Sequence, residues 1–381
     1  MNHNNSLFYS KENFISLFKS YSNTFEMFID DYNVRVRKKL VPLKDYIKYK
    51  NINLTVLKKL YLHIVNNREY LSRFYNTSLS IKENIKFDRE PMTKYNINNN
   101  KFVNFKNIIR NLHLLDILKN TKSGIENNPT FMDVLEDIYN NHIIDYKILT
   151  PSALHYIDNG RIGSVYSSFY FRASIMNPYI VYSLNHNVLK GTRIFTPTLG
   201  WSSYAYGFME SPNVSEYVGT DVIKDVCSKT RTFLKLNYPL KKHKIYQSPS
   251  ENLLNNKHFK TNYKEHFDLV FFSPPYYKME LYPGDKQSTT KYRDYDTWLK
   301  IYWEKTIQLC LHVLSPGSKM CYILSGYGSK NTGSIYNLID DMNKITEKYF
   351  IFEEIIPLYN KNVHVTEHRE TAEKIIIFHK P

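Results

Sequence analysis

The stretch Phe267-Asp268-Leu269-Val270-Phe271-Phe272-Ser273-Pro274-Pro275-Tyr276 decides how this chain is read. Its first six residues make a short apolar run, strand-sized and rich in β-favouring side chains, which predicts a buried strand. The two prolines then stop it, because each fixes the backbone and removes an N–H donor. What they leave are carbonyls free to accept, flanked by the Ser273 hydroxyl and the Tyr276 ring. In a doubly wound sheet, ligands sit at the carboxyl ends of strands, which is where this tetrapeptide falls. Such a group suits a base turned out of its stack, its exocyclic amine donating to Ser273 and the Pro274 carbonyl while its ring lies on Tyr276. A proline-stiffened turn is the plain alternative, and the tetrapeptide alone leaves it open.

Working outward, other strands recur at intervals that helices fill. Arg193 to Phe195 enters the turn Thr196-Pro197-Thr198-Leu199-Gly200-Trp201. Tyr217 to Gly219 ends at Thr220-Asp221, and Lys244 to Tyr246 leads into Ser248-Pro249-Ser250-Glu251. Beyond the tetrapeptide, a helix from about Thr297 to Val313 passes through Ser315-Pro316-Gly317 to a strand at Met320 to Leu324. A helix near Ser334 to Lys348 precedes Phe350 to Pro357 and Glu373 to Phe378, which pair as the last two strands. The expectation is an α/β fold: a doubly wound parallel sheet with one antiparallel edge.

Before about Gly160 the texture is helical. One apolar stripe runs from Phe14 to Tyr32, a second from Leu57 to Phe74, and a third from Phe131 to Tyr139 behind Pro129-Thr130. The division expected is a helical N-terminal region, 1–150, and a second domain, 151–381. Between the first two stripes lies a basic run containing Arg35, Arg37, Lys38 and Lys39, read either as a phosphate-tracking surface or as a solvated helix face.

The 381 residues carry 51 Lys plus Arg against 36 Asp plus Glu, a net charge of +15. That excess points to a polyanionic partner, most simply nucleic acid. The abundance of Asn, Lys, Ile and 33 Tyr also matches AT-rich coding, which accounts for part of it. No apolar run is long enough to span a bilayer, and the N-terminus lacks a secretory pattern. Three cysteines make neither a disulfide framework nor a four-ligand zinc site, so a reduced, intracellular, soluble protein without a metal is expected. His364 and His368 lie four apart without an evident third ligand.

Over about residues 160 to 381 the chain resembles the amino-methylating DNA methyltransferases, whose catalytic motif reads (D/N/S)-P-P-(Y/F/W). The run from Ser273 through Tyr277, Glu280 and Tyr282 is similar to the form found in phage and viral members, as are Gln287-Ser288, Tyr292 and Trp298-Leu299 downstream. Ser315-Pro316-Gly317 resembles the turn before the family's fifth strand, Thr371-Ala372-Glu373-Lys374 its final strand, and Phe171-Arg172-Ala173-Ser174 the segment beside the cofactor.

The resemblance implies a Rossmann-like class I methyltransferase sheet of seven strands, the last pair antiparallel, and S-adenosyl-L-methionine as cofactor. It implies Ser273, Pro274, Pro275 and Tyr276 as catalytic residues. Cofactor contacts are implied for Phe171, Arg172, Thr196, Pro197, Gly200, Trp201, Asp221, Ser250 and Glu251. Asp221, 25 positions beyond Thr196, takes the ribose role. Arg35, Arg37, Lys38, Lys39, Gln287, Ser288 and Tyr292 are candidate DNA contacts. Serine at the first motif position leans towards N4 of cytosine over N6 of adenine. DNA is the implied partner, RNA a second one, and a restriction endonuclease or another copy of the chain fits the family's habits; a viral member would act in host cytoplasm or nucleus.

The first turn departs from the family form D-P-x-x-G-W-G at two places, Thr196 and Ser202. The missing carboxylate removes an acceptor, and Ser202 is expected to crowd the methionine end of the cofactor. Three rivals follow: a non-catalytic DNA-binding descendant, an RNA base-amine methyltransferase, and a release-factor-type glutamine methyltransferase, which more characteristically carries Asn at position 273.

Overall fold

Phe267–Phe272 forms a strand in the computed structural model, buried along nearly its whole length at the middle of a seven-stranded sheet. The structure describes residues 7–82, 86–87, 89–97, 102–325, 336–358 and 373–381. The sheet strands are β1 (Arg193–Thr196), β2 (Glu216–Asp221), β3 (Lys242–Gln247), β4 (Phe267–Phe272), β5 (Leu314–Ser325), β6 (Ile351–Pro357) and β7 (Glu373–His379). Their spatial order is β6-β7-β5-β4-β1-β2-β3. The strands from β5 to β3 run parallel, and β7 lies antiparallel between β5 and β6. This is the doubly wound α/β sheet implied by the resemblance, with its antiparallel edge pair.

The reversal of strand order between β4 and β1 opens a crevice at the carboxyl ends, where such folds bind ligands. Central strands are apolar on both faces because helices cover both sides, which is why β4 reads as an unbroken apolar run. Gly317, at φ 72°, sits in a bulge where β5 shifts register against β4 between Leu314 and Lys319. The β5–β7 register sets Ser325 opposite Glu373, so the first residue of β7 arrives at the same edge as the end of β4.

Compact packing divides the chain differently from a cut at Thr150. One unit comprises Phe8–Ser80 and Leu114–Ala173; the other comprises Ile81–His113 and Ser174–Pro381. Side-chain packing explains the interleaving. The helix Asn104–Leu112 belongs with the sheet because Phe105 stacks on Tyr179, at 5.7 Å and 8°. The helices Pro151–Asp158 and Ile162–Phe169 belong with the other unit, where Tyr166 packs on Tyr70 and Phe131 at 5.7 and 5.8 Å.

In the helical unit, Phe131–Asn140 starts at a capping box between Thr130 and Asp133. The first expected stripe is two helices, Lys11–Ile15 and Phe25–Asp31, capped by Ser10 and Thr24. The polar stretch between them is tied to other elements, Lys19 N–H donating to Asn140 and Asn67 donating to the Lys19 carbonyl. The second stripe breaks at Asn66 into Leu54–Val65 and Asn67–Ser78.

The basic run begins not as a helix face but as a hairpin of Asn33–Val36 and Lys39–Pro42, turning at Arg37, φ 56°. Ile143–Asp145 adds a third, parallel strand. No helix among the described residues is long and apolar enough to cross a membrane.

Candidate active site

Four loops at the carboxyl ends of β1 to β4 line one cavity in the sheet unit. After β1, the turn Thr196 to Ser202 places Pro197, Thr198, Gly200 and Trp201 on the wall. Three consecutive residues, Gly200, Trp201 and Ser202, adopt left-handed backbone at φ 50°, 58° and 67°. Gly200 is required on two counts. Its φ favours glycine, and a Cβ there would come within 2.2 Å of the Tyr204 ring.

That ring is a strut between two parts of the site. Its hydroxyl accepts from the Ser273 backbone N–H at 3.0 Å. Thr198 adds a second tie, donating to the Ser273 carbonyl at 3.3 Å.

Asp221 stands at the end of β2 and lines the cavity. Its two oxygens accept backbone N–H groups from Leu199, at 3.2 Å, and Ile223, at 3.0 Å. Burial raises its pKa, against those hydrogen bonds. After β3 come Ser250, hydrogen-bonded to Thr306, and Glu251, which receives Lys291 at 3.1 Å and the Tyr292 hydroxyl at 3.2 Å. Tyr302 also lines this wall, and its buried hydroxyl has no hydrogen-bond partner among the described residues.

Ser273, Pro274, Pro275 and Tyr276 form the wall after β4. The Ser273 hydroxyl donates to Tyr276 Oη at 3.4 Å, and Tyr276 donates to Glu373 Oε1 at 3.2 Å. A second carboxyl, Glu280, accepts from Tyr282 at 2.6 Å and from the Ser174 N–H at 3.1 Å. Burial raises both carboxyls, and the charge of Glu373 pushes Glu280 further up. Burial likewise holds the Tyr276 phenol well above its ordinary value.

The cavity therefore gathers most of the implied residues and leaves a few out. Thr196 is buried behind the turn, its hydroxyl 2.6 Å from Tyr217 Oη. Phe171 and Arg172 do not line the cavity; they belong to the helical unit, where Phe171 exchanges backbone hydrogen bonds with Pro129 and Phe131. The adjoining Ser174, Ile175 and Met176 reach the cavity wall instead.

Ser202 does not crowd the cavity as expected. Its left-handed backbone turns the side chain inward, where it is fully buried, 2.8 Å from His113 Nε2 and 2.6 Å from Thr230 Oγ1.

Of the candidate DNA contacts, Gln287 and Ser288 are buried in the cavity wall. Gln287 donates to the Pro283 carbonyl, and Ser288 accepts from Trp298. Tyr292 is engaged by Glu251. Arg35 pairs with the buried Asp137 at 2.6 Å, while Arg37, Lys38 and Lys39 are exposed at the hairpin tip.

The three cysteines are buried and free, with thiols pushed up by burial, Cys227 to about 12. His364, His368, Thr371 and Ala372 lie outside the described residues.

Sequence reading missed Tyr204, Tyr302 and His113, which carry no local motif. Glu280 and Glu373 sat inside quoted segments, without a role.

No protein-family model matches the chain, and no curated protein matches it. Among solved structures, it is similar to the N-methyltransferase NodS from Bradyrhizobium japonicum WM9 in complex with S-adenosyl-l-homocysteine. That likeness has 11% identity and a TM-score of 0.35, over 52% of this chain and 82% of that one. TrmN from Thermus thermophilus aligns at 12% identity and a TM-score of 0.36, over 54% and 49% respectively. A methyltransferase from Pyrococcus furiosus aligns at 16% and 0.36, over 54% and 83%. The fold assignment rests on the strand order and register given above.

Proposed function

We propose that this chain is an S-adenosylmethionine-dependent methyltransferase acting on the exocyclic amine of a base in DNA, N4 of cytosine ahead of N6 of adenine. One observation carries the reading: Ser273-Pro274-Pro275-Tyr276, after β4, shares a cavity with Asp221, at the end of β2, and with Ser250 and Glu251, after β3, at the carboxyl edge of one sheet.

The residues fit the cofactor. The lone pairs of Asp221 not taken by Leu199 and Ile223 would receive ribose hydroxyls. The Tyr302 hydroxyl, buried beside this wall without a partner among the described residues, is a donor in need of an acceptor. Bound there, S-adenosylmethionine would supply an electrophilic methyl group.

The chain's own residues have the remaining tasks. Ser273 and the Pro274 carbonyl would accept the two amine hydrogens and so aim the nitrogen lone pair. Tyr276 would support the ring. A strong base is unnecessary, because the amine becomes acidic once it is alkylated. The first-turn departures do not favour a non-catalytic descendant: Thr196 is occupied by Tyr217, and Ser202 by His113 and Thr230.

The test is incubation with labelled cofactor and mixed DNA or RNA, followed by mass spectrometry of the nucleosides. N4-methylcytosine or N6-methyladenine in DNA is expected, lost in Ser273→Ala and in Tyr276→Ala with the fold kept. Full activity in both variants would sink the assignment, and methylation of RNA alone would move it to the RNA class.

A further inference from the structure

The hydrogen bonds behind Ser273 run in one direction. Glu373, as a carboxylate, can only accept, so Tyr276 donates to it at 3.2 Å. Tyr276 Oη is then the acceptor for the Ser273 hydroxyl at 3.4 Å. The Ser273 hydrogen is thereby committed to the wall, and its lone pairs are left for the cavity. Strand register makes this possible, since β7 pairs with β5 so that Glu373 falls opposite Ser325 at the edge where Ser273 leaves β4.

We propose that Glu373 is the terminal acceptor of the proton that the target amine must lose, reached through Ser273 and Tyr276. The proposal rests on the base-amine reading above. The amine nitrogen bonds the methyl carbon with loss of the carbon–sulfur bond, whose electron pair stays on sulfur. The nitrogen then carries one proton too many. That proton passes to Ser273 Oγ, the Ser273 hydroxyl proton passes to Tyr276 Oη, and the Tyr276 proton passes to Glu373. Ser273 and Tyr276 end neutral as they began, and Glu373 ends as the neutral acid.

The neighbourhood distinguishes Glu373 from Glu280, the other carboxyl in the wall. Both Glu280 oxygens are engaged elsewhere, by Tyr282 and by the Ser174 N–H. The titratable groups facing the chain of hydroxyls are Tyr204, Glu280, Tyr282 and Lys106. Burial raises the Glu373 pKa, while the Tyr276 hydrogen bond and the charge of Lys106 hold it down. The group therefore accepts a proton more readily than a surface glutamate does.

Near-isosteric variants test this without emptying the cavity. Glu373→Gln and Tyr276→Phe are assayed for DNA methylation across pH beside the wild type. The expected result is a kcat lower by about a hundredfold in each, a general-base loss, with KM for DNA little changed. Wild-type kcat falls as pH drops through the Glu373 pKa, and both variants lack that acid limb.

Difference infrared spectroscopy on the cofactor-free protein gives a readout independent of turnover. A carboxyl band that titrates in the wild type is expected to be absent in Glu373→Gln and shifted in Tyr276→Phe. An active wild type beside a Glu373→Gln variant with the same rate and acid limb overturns the relay and leaves the base-amine reading standing. A carboxyl band unmoved in Tyr276→Phe also overturns the relay. A wild type that methylates no base amine overturns the reading and the relay with it.

Discussion

Replacing Ser202 tests whether the departure in the first turn is a loss or a built feature. Thr230 donates its hydrogen to the Val226 carbonyl at 2.6 Å. Its oxygen therefore accepts from Ser202, and Ser202 in turn accepts from His113 Nε2–H. All three donors are used, and the bare Nδ1 of His113 has no partner among the described residues, as a neutral ring allows. Ser202→Ala keeps a side chain at φ 67° and deletes the hydroxyl, leaving the buried His113 N–H unpaired. An unpaired buried donor costs about 1–3 kcal/mol. Ser202→Gly loses the same hydroxyl but relieves about 1–2 kcal/mol of left-handed strain, partly offset by glycine's extra freedom in the unfolded chain. The expected order of stability is wild type, then Ser202→Gly, then Ser202→Ala, with the last about 2 kcal/mol below wild type. Equilibrium urea unfolding measures it, read as midpoints at constant slope. Since Ser202 does not line the cavity, calorimetry should find cofactor affinity unchanged in both variants. Wild-type stability in Ser202→Ala, or a glycine variant weaker than the alanine one, refutes the reasoning.

Two further outcomes follow from buried groups. Burial, with the charge of Lys229 adding, lowers the His113 pKa from 6.5 to about 3. As pH falls below 6.5, the unfolded chain takes up a proton that the folded one refuses, so stability is lost on acidification. Between pH 7.5 and 5.5 the loss is about 1.4 kcal/mol, and His113→Gln should lack it; an unchanged pH dependence in urea melts would exclude this source. Asp221→Asn should weaken S-adenosylmethionine binding by about 10- to 100-fold in calorimetry, the worth of hydrogen bonds to a charged acceptor. An unaltered Kd would remove Asp221 from the cofactor site.

Local pattern was enough for the elements whose physics is local. Every strand of the main sheet was legible, because buried strands separated by helices have a distinctive composition and spacing. So was the tetrapeptide, where two prolines make one backbone outcome nearly unavoidable. Periodicity overreached in the N-terminal part. The stripe from Phe14 to Tyr32 keeps its apolar spacing across a break, since capping by Ser10 and Thr24 and distant contacts from Asn140 and Asn67 settle where each helix stops. The hairpin at Val34 to Val41 carries no Asn-Gly or Asp-Gly signal; Arg37 takes the left-handed turn position.

By itself, then, the sequence determined the α/β order, the antiparallel last pair and the loops that line the cavity. Only the tertiary structure decided which side chains meet there. The interleaving of the two packing units depends on partners far apart in the chain, such as Phe105 with Tyr179. The pairing of Glu373 with Tyr276 spans 97 positions and exists because strand register brings β7 beside β5. Ser202 reads as an intruding hydroxyl in sequence, yet His113, 89 positions earlier, makes it a buried acceptor. Spacing along the chain records local geometry; it holds no account of what a fold places across a cavity.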